Sequence, residues 1–151
     1  MTAVSPLTSV HKKGLFGDHQ KKDETELLQI SEIKNLVIVQ LVQYKNSKIN
    51  LDDVSIDGLK LSLQSLKVSS NKDTRILWNA PNTWLVLSQK ENILKIINEK
   101  CNNENFAITD ISHSRAIIKI KGPKSIEVLK KGCPINFNEF EKNNCAGSIF
   151  H

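Results

Sequence analysis

Residues 75–100 read RILWNAPNTWLVLSQKENILKIINEK. Two short apolar runs, Arg75–Trp78 and Thr83–Leu87, flank Asn79-Ala80-Pro81-Asn82, whose residue types favour a tight turn, and together they predict a hairpin. Ser88 with Glu91 three residues on has the spacing of a capping box, in which the hydroxyl accepts an orphan N–H and the Glu reaches back. Ile93, Leu94, Ile96 and Ile97 then form one apolar stripe, so the spacing predicts a helix over Ser88–Lys100. The same order recurs downstream. Phe106–Ile111 and Ala116–Lys121 read as strands, the second with Lys119 facing away from Ile118 and Ile120. Gly122-Pro123 opens a second helix that Gly132 closes, with Ile126 and Leu129 facing inward. Cys145–His151 begins a further strand. Strand, strand, helix, strand, strand, helix, strand predicts an α+β fold: a mostly antiparallel sheet with helices on one face, of the ferredoxin-like kind.

Upstream, residues 34–44 read KNLVIVQLVQY and are rich in β-branched side chains. Leu36-Val37-Ile38-Val39 predicts a strand buried on both faces. Residues 49–68 fit two periods at once, Leu59, Leu61 and Leu63 alternating like a strand and Leu59, Leu63 and Leu66 lying on one helix face, while Gly58 marks a turn between two short pieces. Residues 1–29 are polar and aperiodic and read as a flexible arm, with Leu15 and Phe16 its only apolar anchors. Residues 30–151 are left as a single α+β domain.

The chain has 151 residues, 39% of them hydrophobic and 5% aromatic, so its core is built mainly from Ile, Leu and Val. That length holds one domain and is too short for a dinucleotide-binding fold, a flavin site and a substrate domain together. The net charge of +5 comes mostly from Lys scattered along the chain, with the arginines, Arg75 and Arg115, far apart. Nucleic-acid binders concentrate Arg and Lys on one face and add stacking aromatics, so composition favours a solvated Lys-rich surface with a preference for acidic partners. No apolar run is long enough to cross a bilayer, and Met1–Gln20 lacks the apolar core of a secretory signal. Cys101, Cys133 and Cys145 make no CxxC pair and are read as reduced thiols of a cytoplasmic protein.

The densest polar cluster is Asp110-Ile111-Ser112-His113-Ser114-Arg115. Neighbours in a strand-turn-strand point in different directions, which opposes a Ser-His-Asp triad, and no GxSxG elbow occurs. The cluster reads as a turn bonded to local backbone that presents Ser112, His113 and Arg115 to a neighbouring subunit. Trp78 and Trp84, flanking the 79–82 turn, read first as core packing and alternatively as interface anchors, and as anchors they complete the candidate subunit contact. Cys133 lies near a helix C-terminus, whose negative end raises a thiol pKa and disfavours a nucleophile. The residues point to no catalytic, cofactor-binding or metal-binding site.

Several segments in order resemble the γ-subunit family of heterotetrameric sarcosine oxidases. Pro6-Leu7 with Gly14-Leu15-Phe16-Gly17 is similar to its N-terminal "PL…GxFG" arm, and Arg75–Leu85 to its "LWLGPDEWLL" segment. Asp110–Arg115 through Gly122-Pro123 resembles "DxSHxRxxxxxxGP". Leu129–Ile135 resembles "LxKGCPxD", and Cys145–Ser148 "CAxS". The chain departs at Asn79, Ala80, Asn82 and Asn136. Without glycine at position 80 the turn lacks the residue that most readily takes positive φ.

The resemblance implies a fold related to the folate-binding domain of aminomethyltransferases. It implies membership in a complex that oxidatively demethylates sarcosine with tetrahydrofolate as one-carbon acceptor, FAD, FMN, NAD, tetrahydrofolate and zinc being held by the α, β and δ subunits and none by γ. It also implies a further strand, turn and helix beyond His151, so this chain is expected to be incomplete and marginally stable alone. Two other readings stand beside it: a free-standing folate-binding, aminomethyltransferase-like protein, and a basic RNA-binding accessory domain.

Overall fold

In chain order the strands are β1 (Gln29–Ile33), β2 (Val37–Gln43), β3 (Ser55–Ile56), β4 (Leu59–Lys60), β5 (Val68–Ser70), β6 (Thr74–Ala80), β7 (Thr83–Ser88), β8 (Phe106–Asp110) and β9 (Ile117–Lys121); the helices are α1 (Ile93–Lys100) and α2 (Ser125–Lys130). This computed structural model describes residues 5–12, 14–17, 19–20 and 22–148. The fold is α+β, with every strand pair antiparallel. The chain forms two units: Met1–Lys34 with His113–Glu139 and Ser148–His151, and Asn35–Ser112 with Phe140–Gly147.

The larger unit is a five-stranded sheet in the order β5-β6-β7-β2-β8. Register aligns its inward side chains in rows, because residues opposite one another in antiparallel strands share a face. Ile76, Val86 and Val39 form one row; Trp78, Trp84, Leu41 and Ile108 form the next. Ile93, Ile97 and Cys101 of α1 and its C-cap join these rows in one buried cluster with Phe106, Val54, Ile56 and Leu61. Ile38 and Val39 are both buried although they point to opposite faces, as the apolar run over 36–39 predicts.

The β6–β7 hairpin turns at Pro81-Asn82, with Ala80 opposite Thr83 and an irregularity at Asn79. Positive φ falls on Asn82, at 56°, not on position 80. Pro's fixed negative φ followed by a left-handed residue is the type II pattern, and Asn tolerates that conformation better than most residues. The strand alternation of Leu59, Leu61 and Leu63 holds only in part: β3 and β4 form a hairpin with a two-residue turn at Asp57-Gly58, both at positive φ, the I′ signature, while Leu63 and Leu66 are exposed.

The α1 boundary differs from expectation. The helix starts at Ile93 after Asn92, and Ser88 is the buried last residue of β7. Its hydroxyl bonds Thr74 Oγ1 at 2.8 Å and accepts the Lys90 N–H at 3.1 Å. Ser88 sits in register with Thr74 and Val37, so sheet pairing outweighs the capping-box spacing.

The Asp57 side chain ties that region together. It accepts from Thr74 Oγ1 at 2.7 Å, from Asn71 Nδ2 at 3.1 Å and from the Lys90 ammonium at 2.5 Å. The Lys90 bond, then the Thr74 bond, hold its carboxyl down to about 2 from 3.8. A carboxylate depressed in the fold stabilises above its unfolded pKa and loses that contribution as pH falls towards the folded one. Asp57→Asn keeps the left-handed tolerance and should cost about 1–2 kcal/mol at neutral pH. In urea titrations, the gap between wild type and variant should close as pH drops from about 5 towards 2; a gap independent of pH would assign the loss to something other than the carboxylate charge.

The smaller unit is built on a two-stranded ribbon, β1 with β9, in the register Ile30↔Ile120, Glu32↔Ile118 and Ile33↔Ile117. Lys119 does face away from Ile118 and Ile120, as the alternation predicts, yet Ile30 and Ile118 are each 53% exposed. Glu32 accepts a hydrogen bond from Ser5 Oγ and lies 3.8 Å from Lys34 Nζ. Gly122 then turns the chain at φ 134°, against the Leu27–Leu28 backbone. Pro123 precedes the N-cap, Lys124, and does not occupy the first helical position. Ile126 is 48% exposed, against the inward orientation its spacing predicts, and Leu129 is half-buried. Of the strand expected over Cys145–His151, Ile149, Phe150 and His151 lie outside the described residues. Before them, within the larger unit, Asn144 makes a single antiparallel bridge to Lys67, and Cys145 N–H donates to Leu66 O at 2.7 Å.

Candidate interaction surface

The polar turn after β8 is organised by backbone bonding. Asp110 Oδ1 accepts the Ser112 N–H at 2.9 Å and the Ser112 hydroxyl at 2.5 Å. Ser112 Oγ in turn accepts the Ile38 N–H at 2.9 Å, and the Ile111 N–H donates to Ile38 O at 2.9 Å. The serine hydroxyl is thereby committed to holding the end of β8 against β2, as the local-bonding reading anticipates. His113 and Arg115 are exposed, and Arg115 Nη1 donates to Ser114 O at 3.2 Å. Hydroxyl and imidazole therefore do not form the nucleophile–base pair that acyl transfer requires.

The two tryptophans separate. Trp84 is 0% exposed, packed in the central row, with its indole N–H donating to Ser62 O at 2.8 Å. It presents no surface to a partner, which corrects its place among the candidate contact residues: as an inward residue of the central strand β7, it fills the core. Trp78, directly opposite on β6, is half-buried, and its carbonyl accepts from Cys145 Sγ at 3.2 Å.

All three cysteines are free thiols. Burial pushes Cys101 up to about 11. Burial also raises Cys145, opposed in part by a hydrogen bond with the Trp78 backbone. Both shifts disfavour the thiolate that a nucleophile or metal ligand needs. Among the described residues no group of three or more His, Cys, Asp or Glu is placed to hold a metal, and no helix is long and apolar enough to cross a membrane.

Uncovered apolar side chains are the notable surface feature. In the smaller unit Leu15, Phe16, Ile30, Ile118, Ile126 and Val128 are exposed. Leu15, Phe16, Leu27, Leu28 and Ile30 also line an open groove of about 1020 Å³ rimmed by His11, Lys12, His19 and Lys124. Sequence reading identified Leu15 and Phe16 but missed β1, because QISEI carries one isolated Ile at each end of a polar stretch. Its only signal is the fit to β9, far along the chain.

No family profile and no characterised protein matches the sequence. Among solved structures, the chain resembles a chain of the heterotetrameric sarcosine oxidase from Corynebacterium sp. U-96, determined in complex with pyrrole 2-carboxylate. The TM-score is 0.71 at 21% identity, over 81% of this chain and 65% of that one. The likeness is one of fold, and this chain spans 65% of the length of the solved chain it matches.

Proposed function

We propose that this chain is a non-catalytic accessory subunit, of the γ kind, in a heterotetrameric sarcosine oxidase. Its partners are the α, β and δ subunits, which hold FAD, FMN, NAD, tetrahydrofolate and zinc. Together they oxidatively demethylate sarcosine and pass the one-carbon unit to tetrahydrofolate. The observation that carries this reading is the fold likeness to a chain of such an enzyme over 81% of the present chain. The ordered motifs from Arg75 to Ser148 support it independently. So do the roles of two polar side chains: Ser112 bonds backbone, and Cys101 is buried in its thiol form.

Co-expression with sarcosine oxidase α, β and δ subunits tests the proposal. The chain should co-elute with the flavin-containing complex and, purified alone, should be colourless and inactive with sarcosine. Arg115→Ala, at an exposed side chain, should weaken co-elution without lowering the melting temperature, whereas Trp78→Ala, at a half-buried side chain packed against the core, should also lower the melting temperature. A chain that elutes alone while the other subunits assemble without it, or that carries flavin by itself, would overturn the reading.

A further inference from the structure

The chain's net charge is not distributed as evenly as its lysines. Met1–Lys34 is neutral, five Lys against five Asp and Glu. His113–Glu139 holds Arg115, Lys119, Lys121, Lys124, Lys130 and Lys131 against only Glu127 and Glu139, a net of +4 out of +5 for the whole chain. All six cations are exposed, and none is in an ion pair among the described residues.

This charge sits on β9 and the segments flanking it, and β9 is an edge strand. Among the described residues the ribbon has two strands, and β9 pairs with β1 on one side only. Among the described residues, no backbone group of 117–121 makes a hydrogen bond outside the ribbon. An isolated two-stranded sheet is marginal in water, and an open edge is a template for another strand. Along that edge Ile118 and Ile120 point to one face and Lys119 and Lys121 to the other.

The geometry points to β9 as the acceptor of an extended acidic segment from a partner polypeptide, which adds to the ribbon as a third strand. Its apolar side chains lie beside Ile118 and Ile120, and its Asp or Glu side chains beside Lys119 and Lys121. Main-chain bonds supply affinity in this mode, and alternate side chains supply selectivity. A second copy of this chain does not fit, since pairing β9 with itself sets Lys near Lys. Single-stranded nucleic acid is also disfavoured, since the ribbon carries no aromatic side chain for base stacking. In the proposed complex the segment belongs to a partner subunit, and to that extent the inference rests on the function proposed above.

The test uses the full chain co-expressed with sarcosine oxidase α, β and δ subunits, with poly(U) RNA as a competing ligand. Hydrogen exchange of amides 117–121 should slow on assembly. Lys119→Glu with Lys121→Glu should weaken assembly by about tenfold or more and remove its salt dependence. Ile118→Lys should weaken it comparably, and all three substitutions fall at exposed positions. Lys72→Glu, an exposed site in the other unit, should change nothing. Wild-type assembly by the β9 variants, or unchanged exchange at 117–121 in the complex, overturns this inference and leaves the function standing. Binding of poly(U) through Lys119 and Lys121 without assembly overturns both, as does binding of neither.

Discussion

Trp84→Ala will destabilise the larger unit by about 3–5 kcal/mol, a large part of the roughly 5–15 kcal/mol available to a domain. The side chain is wholly buried between Trp78 and Leu41 in its row, and its removal opens a cavity that neighbouring strands cannot close without breaking register. It also deprives Ser62 O of its 2.8 Å bond from the indole. Trp84→Phe keeps most of the volume and loses that bond, at about 1–2 kcal/mol. Urea unfolding followed by far-ultraviolet circular dichroism reads both. An alanine variant as stable as wild type would mean that the central row is not packed as described. Because the effect acts through folding, loss of assembly in this variant says nothing about contact, and exposed Arg115 is the candidate residue that tests the surface.

The second large effect is expected at Gly122. Its φ of 134° is open to glycine and costly to other residues. A Cβ there would stand 2.6 Å from Leu27 O and 3.1 Å from Leu28 Cα, both backbone atoms with no rotamer to change. Strain and clash together should cost about 2–5 kcal/mol for Gly122→Ala. The loss falls on the ribbon, because Leu27 and Leu28 lead into β1 and Gly122 comes directly after β9. Amide exchange should accelerate at 29–33 and 117–121, with the five-stranded sheet as internal reference. Wild-type protection in the ribbon would show that the Leu27–Leu28 backbone yields.

These two residues also show what was legible in the sequence. The strand around Val37–Val39, the hairpin at Pro81-Asn82 and α1 are set by local pattern, because each is decided within a few residues. The role of Asp110 and Ser112 as local bonding groups is likewise set by the composition of one short stretch. Misreadings arise where a distant partner decides. Ser88 has the spacing of a cap, but Thr74 and Val37 make it a strand end. Gly122 looks like a helix entry, and its glycine is required by Leu27, far back in the chain. Trp84 and Trp78 are equivalent in sequence, and only the register and the helix above the sheet bury one of them. β1 is invisible in isolation, since its pairing with residues 117–121 leaves no periodic trace in QISEI. Asp57 likewise reveals its network only when Thr74 and Lys90 are brought to it.

Cys101 gives the molecule a clock. It caps α1, is completely covered and holds its proton up to about 11. An alkylating reagent therefore reaches its thiolate only during excursions in which the helix end lifts from the sheet, so the labelling rate counts those excursions. Cys133, half-buried in the other unit, is reached without such an excursion and serves as a reference on the same chain. Mass spectrometry of the two labelled peptides would then give the frequency of those excursions against that reference, before and after a partner arrives.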